Sequence, residues 1–323
     1  AINLDGSDVN GFPINIGEKI KAGIALADYD NNGKDDLIFG TNDNNIYLIL
    51  DNGSIATGFP FSTNDKVHSA PSILEIDGEK IIVVGCNDNQ LYAINDDGSL
   101  RFSVLTDGDI LTSPSILNLN GEAFVFFGSN DDKVYGINMN GNILPNWPID
   151  MNGNIVGSIV FSDLNDDEEV EIIAVTDMGD IGAFSLEGTP YHHFPITNNY
   201  PFKSAPLIID LDGDNDLEII SGSGGDLVVI DVKEIGDTQD YWHIFRRNNQ
   251  RNGYYILEGE TECAVSLGDV NGDASINILD LVQISNYILE LSTLQFPCAA
   301  DFNQDEIVNI LDLVQIANFI LDN

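Results

Sequence analysis

The sequence predicts a mainly β chain: a five-bladed β-propeller over residues 1–257, followed by a small all-α domain over residues 258–323. Three observations carry that reading. A pattern returns five times, each copy holds about four short β-rich runs, and the periodicity turns helical near the C-terminus.

The repeat is anchored by two markers. GFP at Gly11–Pro13 returns at Gly58–Pro60, with relatives NWP at Asn146–Pro148 and HFP at His193–Pro195. Ahead of the later ones stand DNGS at Asp51–Ser54, DDGS at Asp96–Ser99, MNGN at Met139–Asn142 and LEGT at Leu186–Thr189. Between markers an apolar strand ends in Gly and a second, often Tyr-containing strand follows, as in Leu37–Leu50, Ile82–Ile94 and Val125–Ile137. Ile172–Phe184 and Ile219–Ile230 keep the spacing. A period of roughly 42 to 48 residues with four strands and Gly/Asn/Asp turns per copy is that of a propeller blade. No copy contains a helical pattern of about ten residues, so solenoids of helical pairs are excluded. Two segments can close the ring, the N-terminal GFPI at Gly11–Ile14 or the strand Tyr241–Phe245, and the sequence leaves both open.

The chain has 323 residues, of which 53 are Asp or Glu and 12 Lys or Arg, for a formal net charge of −41. With 43% hydrophobic residues it has enough apolar surface to fold, so the acidity is not a sign of disorder. Such a charge repels phosphates, which argues against nucleic acid and anionic membranes as partners. No apolar run is long enough for a membrane span. No signal peptide is present, and the opening AINLDGSDVNG fits a mature N-terminus left after export.

The acids cluster. In the first repeat, Asp28, Asp30, Asn32, Lys34 (through its carbonyl) and Asp36 place oxygens at loop positions 1, 3, 5, 7 and 9, a spacing that can wrap a hard cation. The fifth repeat has Asp210, Asp212, Asp214, Asp216 and Glu218; the fourth has Asp163, Asn165, Asp167, Glu169 and Glu171, with Glu168 where the first loop has Gly33. Repeats two and three have only Ile76-Asp77-Gly78-Glu79 and Leu119-Asn120-Gly121-Glu122, where no ion is expected. These loops in this setting resemble the FG-GAP/VCBS family of calcium-binding propeller repeats over most of residues 10–255, which implies calcium at the three loops.

Two twelve-residue loops follow. Asp269, Asn271, Asp273, Ser275, Asn277 and Asp280 recur as Asp301, Asn303, Asp305, Ile307, Asn309 and Asp312, with Ser275 and Ile307 offering carbonyls. Each loop feeds an apolar helix, Leu281–Leu289 and Leu313–Leu321, whose Leu281, Ile284, Ile288 and Leu313, Ile316, Ile320 form one face. This is EF-hand logic without an entering helix, and the duplicated arrangement resembles a type I dockerin. The resemblance implies two more calcium ions, about five in all, and a protein partner. Position 6 is Ala274 and Glu306 instead of Gly, so a left-handed turn there costs about 1–2 kcal/mol. At positions 10 and 11, where dockerins of cellulose-degrading complexes carry small hydroxyl residues that meet cohesin, stand Ile278–Leu279 and Ile310–Leu311. These pairs are either buried, in the module or against the propeller, or form a partner patch. The same duplication can bring Cys263 and Cys298 together as a disulfide, closing a loop worth roughly 3–4 kcal/mol and fitting an oxidising compartment. Cys86, in a strand, reads as a small core residue.

No catalytic constellation is found. His68, His192, His193 and His243 stand in no HExxH or GxSxG setting. The stretch Trp242–Tyr255 holds three of the twelve cations, Arg246, Arg247 and Arg251, as a closing turn or a contact for an acidic neighbour or glycan. The expected function is a secreted or cell-surface, non-enzymatic calcium-binding assembly protein, a propeller scaffold linked by its dockerin-like module to a partner or to a neighbouring copy in a filament. The alternative is a carbohydrate-binding or polysaccharide-degrading protein, with Trp147, Tyr191 and Tyr200 stacking sugars.

Overall fold

The structure, a computed structural model, describes residues 2–76, 78–238, 241–248, 250–257, 265–273, 275–289, 291–302 and 308–322. It divides into two compact units, Ala1–Glu258 and Gly259–Asn323.

The first unit is all β. Its sheets are antiparallel and their strands follow chain order: β1 (Ala25–Ala27), β2 (Asp36–Gly40), β3 (Asn45–Ile49), β4 (Phe61–Ser62); β5 (Ser72–Ile76), β6 (Glu79–Gly85), β7 (Gln90–Asn95), β8 (Leu100–Leu105); β9 (Ser115–Leu119), β10 (Glu122–Gly128), β11 (Lys133–Asn138), β12 (Ile149–Asp150); β13 (Val160–Ser162), β14 (Glu171–Val175), β15 (Asp180–Phe184), β16 (Ile196–Thr197); and β17 (Leu207–Ile209), β18 (Asp216–Gly222), β19 (Leu227–Ile235). In the middle strands β6, β10 and β14, alternation gives way to continuous burial, the mark of strands covered on both faces. Val83, Val125, Phe127 and Tyr135 share one apolar cluster across two sheets, and Phe126, Phe161 and Trp147 another. Each sheet therefore buries its apolar face against a neighbouring sheet.

The markers have a geometric reason. Gly11 and Gly53 lie so close that a Cβ on Gly11 would stand 2.0 Å from the Asn52 carbonyl oxygen, and Gly58 meets Asp97 in the same way. Each GFP glycine thus clasps the Asn-Gly or Asp-Gly turn of the next repeat. The prolines at positions 13, 60, 148 and 195 all follow cis peptide bonds.

Neither candidate for ring closure is a strand: Gly11–Ile14 and Tyr241–Phe245 both lie outside the regular elements. Instead, the segment after Tyr241 crosses the first strands one carbonyl at a time. Phe161 donates its amide to the Trp242 carbonyl and Ile208 to that of His243, while Leu26 and Ile73 donate to Asn252 and Gly253. It ends as β20 (Tyr254–Leu257), parallel to β5. This path spends backbone hydrogen bonds singly, so it has no period-2 pattern for the sequence to display.

The second unit has two helices, α1 (Ile278–Ile288) and α2 (Ile310–Asp322). Ile284 and Ile316 are fully buried, and Leu281, Ile288, Leu313 and Ile320 pack beside them around Val270, Leu294 and Ala300. Cys298 is disulfide-bonded and Cys86 is a buried free thiol; Cys263 lies outside the described residues.

Candidate metal centres

The three acidic loops of the first unit share one backbone. Positions 4 and 6 are left-handed in each: Asn31 and Gly33, Asp166 and Glu168, Gly213 and Asn215. The first carboxylate anchors the turn. Asp28 accepts the amides of Asn32 (2.9 Å) and Gly33 (2.7 Å), Asp163 those of Asn165, Asp167 and Glu168, and Asp210 those of Gly213 and Asn215. The ninth residue closes it from below. Asp36, Glu171 and Glu218 are at most 4% exposed, and each accepts the amide of the second loop residue, at 2.8, 2.8 and 2.6 Å.

The loops differ in what they bring together. Carboxylate oxygens of Asp28, Asp30 and Asp36 lie within 4.8 Å of one another, as do those of Asp212, Asp214, Asp216 and Glu218. Asp210, by contrast, is occupied with amides and is not part of the second set. In the fourth repeat no three acids converge among the described residues. There the Asn165 side-chain amide donates to Asp167 (2.9 Å), which fills the space with a donor where a cation would need acceptors.

Charge repulsion shows in the proton affinities. Burial pushes the Asp36 carboxyl above its usual range and that of Glu171 up to about 7. Asp216 is raised to about 6, first through its hydrogen bond with Asp214, and Asp212 is raised by the Asp214 charge. Asp216 Oδ1 is buried with no hydrogen-bond partner. A buried, unpartnered oxygen among crowded carboxylates is the environment a hard, oxygen-seeking cation satisfies, so these residues fit calcium. The sequence reading missed Asp51, from the DNGS marker, which holds Asn32 Nδ2 at 3.0 Å and Lys34 Nζ at 2.7 Å. It also missed Lys233, which pairs with Asp231 and lies 4.0 Å from Asp216. Asp51 was visible only as a charge in a turn, and Lys233 only as a charge within the strand β19.

In the second unit Asp269 accepts the amides of Gly272 (2.8 Å) and Asp273 (3.1 Å), Asn271 that of Asp273, and Asp273 that of Ser275. Asp280 is fully buried. Its Oδ2 accepts the Asn277 amide at 2.9 Å while its Oδ1 has no partner, again an oxygen that fits a cation. Asn277 turns its side-chain oxygen to the Leu279 amide and caps α1 in a capping box with Asp280. Asn309, Leu311 and Asp312 repeat the arrangement. The Asn-x-x-Asp spacing ahead of an apolar run is a capping signal in its own right. Asp301 and Asp312 are described, and Asp312 is fully buried; Ala274, Asn303, Asp305, Glu306 and Ile307 lie outside the described residues.

The apolar pairs at positions 10 and 11 are not buried inside the module. Ile278 and Ile310 are each 68% exposed, and Leu279 and Leu311 each 58%. As the first residues of their helices, they precede the turn that faces the core.

Residues 267–321 match the dockerin type I domain family. Dockerin domains assemble proteins by protein–protein contact, as a rule with calcium and outside the cell, and their partners are cohesins. No curated protein matches the chain in sequence. Among solved structures, BBS1N in complex with ARL6DN has 12% identity and a TM-score of 0.48, over 67% of this chain and 67% of that one. BamB from Moraxella catarrhalis has 16% identity and a TM-score of 0.49, over 69% of this chain and 64% of that one. No helix among the described residues is long and apolar enough to cross a membrane.

Proposed function

We propose that this is a non-enzymatic, extracellular connector: a five-bladed, FG-GAP/VCBS-like propeller stiffened by calcium, joined to a dockerin domain that docks onto a cohesin-type partner. The observation that carries the reading is the exposed, duplicated apolar pair, Ile278–Leu279 and Ile310–Leu311, with matching exposure in the two copies and each set beside a buried carboxylate of a calcium-type loop. Two equivalent apolar pairs on one small module form a surface that a partner can cover, and the dockerin match names the partner's kind. Ile and Leu in place of small hydroxyls call for a cohesin with an apolar complement. This reading puts calcium at the two loops of the first unit whose acids converge and at the two loops of the second, and none at the fourth-repeat loop, where Asn165 donates to Asp167. Support for the first unit comes from its five consecutive antiparallel sheets and the convergence of Asp28, Asp30 and Asp36 and of Asp212, Asp214, Asp216 and Glu218.

The test is titration of the full chain with a panel of purified cohesin modules in millimolar calcium and in chelator. At least one cohesin should bind with calcium and be released by chelator, and the double variant Ile278→Asp/Ile310→Asp should lose binding while keeping its helical circular dichroism. Failure of every cohesin, with calcium-dependent association of the chain with itself by sedimentation, would replace the partner with a second copy. A monomer that binds none of them would overturn the connector reading.

A further inference from the structure

In a chain so acidic, the position of its few free cations is informative. Among the described residues, Lys34, Lys80, Arg101, Lys133 and Lys233 are in ion pairs with acids. Of the other seven, Lys203 and Arg251 line one cavity of about 500 Å³ in the first unit. The segments leading into β1, β5, β9, β13 and β17 all contribute to its wall, so all five sheets meet there. His68 also lines it.

Behind that wall is a buried cation without an acid. Among the described residues Arg246, 2% exposed, donates only to the carbonyls of Pro71 (3.3 Å) and Asn252 (3.1 Å), and its Nε has no partner. Buried charges are as a rule paired, because desolvation of an uncompensated ion is costly. Its Nη1 lies where a side chain at Gly23 would be, 2.5 Å from an ideal Cβ, and Gly23 lines the cavity. Only a glycine at position 23 lets the guanidinium approach the cavity wall.

We propose that this cavity binds the acidic group of a sugar, a uronate carboxylate set against Lys203, Arg251 and the field of Arg246. The rest of the lining suits a sugar better than a bare anion. The hydroxyls of Ser113 and Ser204 have no protein partner among the described residues, and the aromatic Phe245 is part of the lining. A space of this size holds more than an inorganic ion and is that of a small-ligand site. The chain's overall charge does not forbid it: at physiological salt, charges beyond about 8 Å are largely screened, so the local cations dominate.

The experiment is calorimetric titration of the full chain in calcium with D-glucuronate, D-glucose, sodium sulfate and a triglutamate peptide. Glucuronate should saturate one site and glucose should not bind. Lys203→Gln/Arg251→Gln should weaken glucuronate on the order of tenfold or more, with melting unchanged because both side chains are exposed. Lys133→Gln, at a distant ion pair, should leave it unaltered. Absence of saturable glucuronate binding, binding that survives the double substitution, sulfate binding without glucuronate, or preference for triglutamate would each overturn the proposal. The last two would make the cavity a bare anion site or a site for an acidic peptide.

Discussion

The hairpins opening the second and third sheets and those opening the first, fourth and fifth share strand order but complete the same junction in opposite ways. β5–β6 and β9–β10 each run through five residue pairs, down to Ile76 with Glu79 and Leu119 with Glu122. β1–β2, β13–β14 and β17–β18 have three pairs each, and an acidic loop replaces the missing rungs. Backbone amides donating to the carboxylates of Asp28, Asp163 and Asp210 take over what ladder hydrogen bonds do elsewhere. The β5–β6 junction also carries its own cation, Lys80, which is 5% exposed and lies 3.2 Å from Glu75, while the β9–β10 junction has Ala123 at the equivalent place. The long ones carry crowded acids with lysines only at their margins. One kind of junction is complete as folded, and the other needs a cation from outside.

The largest expected effect follows directly. Each calcium site filled at about 100–1,000 times its Kd adds roughly 2.7–4.1 kcal/mol to the native state. Chelation should therefore lower the melting temperature by about 10 °C or more. Hydrogen exchange should locate the loss, with faster exchange at 28–36 and 210–218 and none at 119–122. Uniform acceleration across all five sheets, or none, would remove the distinction between the two kinds of junction.

A smaller effect separates ligation from capping in the second unit. Asp280→Asn keeps an oxygen for the Asn277 amide but removes the charge and places an amide near the unpartnered Oδ1 position. Calcium affinity of this unit should fall on the order of tenfold or more, while the calcium-free variant keeps its helix content, since a buried carboxylate without a cation is itself unfavourable. Calcium titration followed by circular dichroism checks both. Unchanged affinity would make Asp280 a cap alone.

Much of this was legible in the sequence, and the reasons are local. The start of the repeat could be read because its first two markers reuse the same Gly contact, Gly11 against Asn52 and Gly58 against Asp97, and a required glycine leaves a mark. The helix faces could be read because Leu281, Ile284 and Ile288 bury one stripe. The crossing segment from Trp242 to Gly253 could not, since single carbonyl acceptors impose no side-chain pattern. Nor could the exposure of Ile278 and Leu279, as a capping residue at 277 sets the rotation of the helix and hence which apolar residues turn outward. The fourth loop has the spacing of the first, yet a side-chain amide at Asn165 turns one acceptor pair into a hydrogen bond, a choice of rotamer that spacing does not encode.

That fourth loop gives the finest test. Glu171 is buried, and its carboxyl is raised to about 7 by burial first and then by Asp167, Asp163 and Glu169. An unfolded glutamate titrates near 4.3. Between roughly 4.5 and 7 the native state therefore binds more protons than the unfolded one, so in metal-free buffer Glu171 makes stability fall as pH rises through that window. Asp216, raised to about 6, contributes with the same sign, whereas Asp51 and Asp97, both lowered, contribute with the opposite one. The difference between wild type and Glu171→Gln isolates the one group. In metal-free denaturant titrations, wild type should lose on the order of 1 kcal/mol relative to the variant between pH 5 and 7 and nothing further above pH 8. A flat difference in metal-free buffer would mean that Glu171 is solvated, and that the fourth junction resembles the short turns more than the acidic loops.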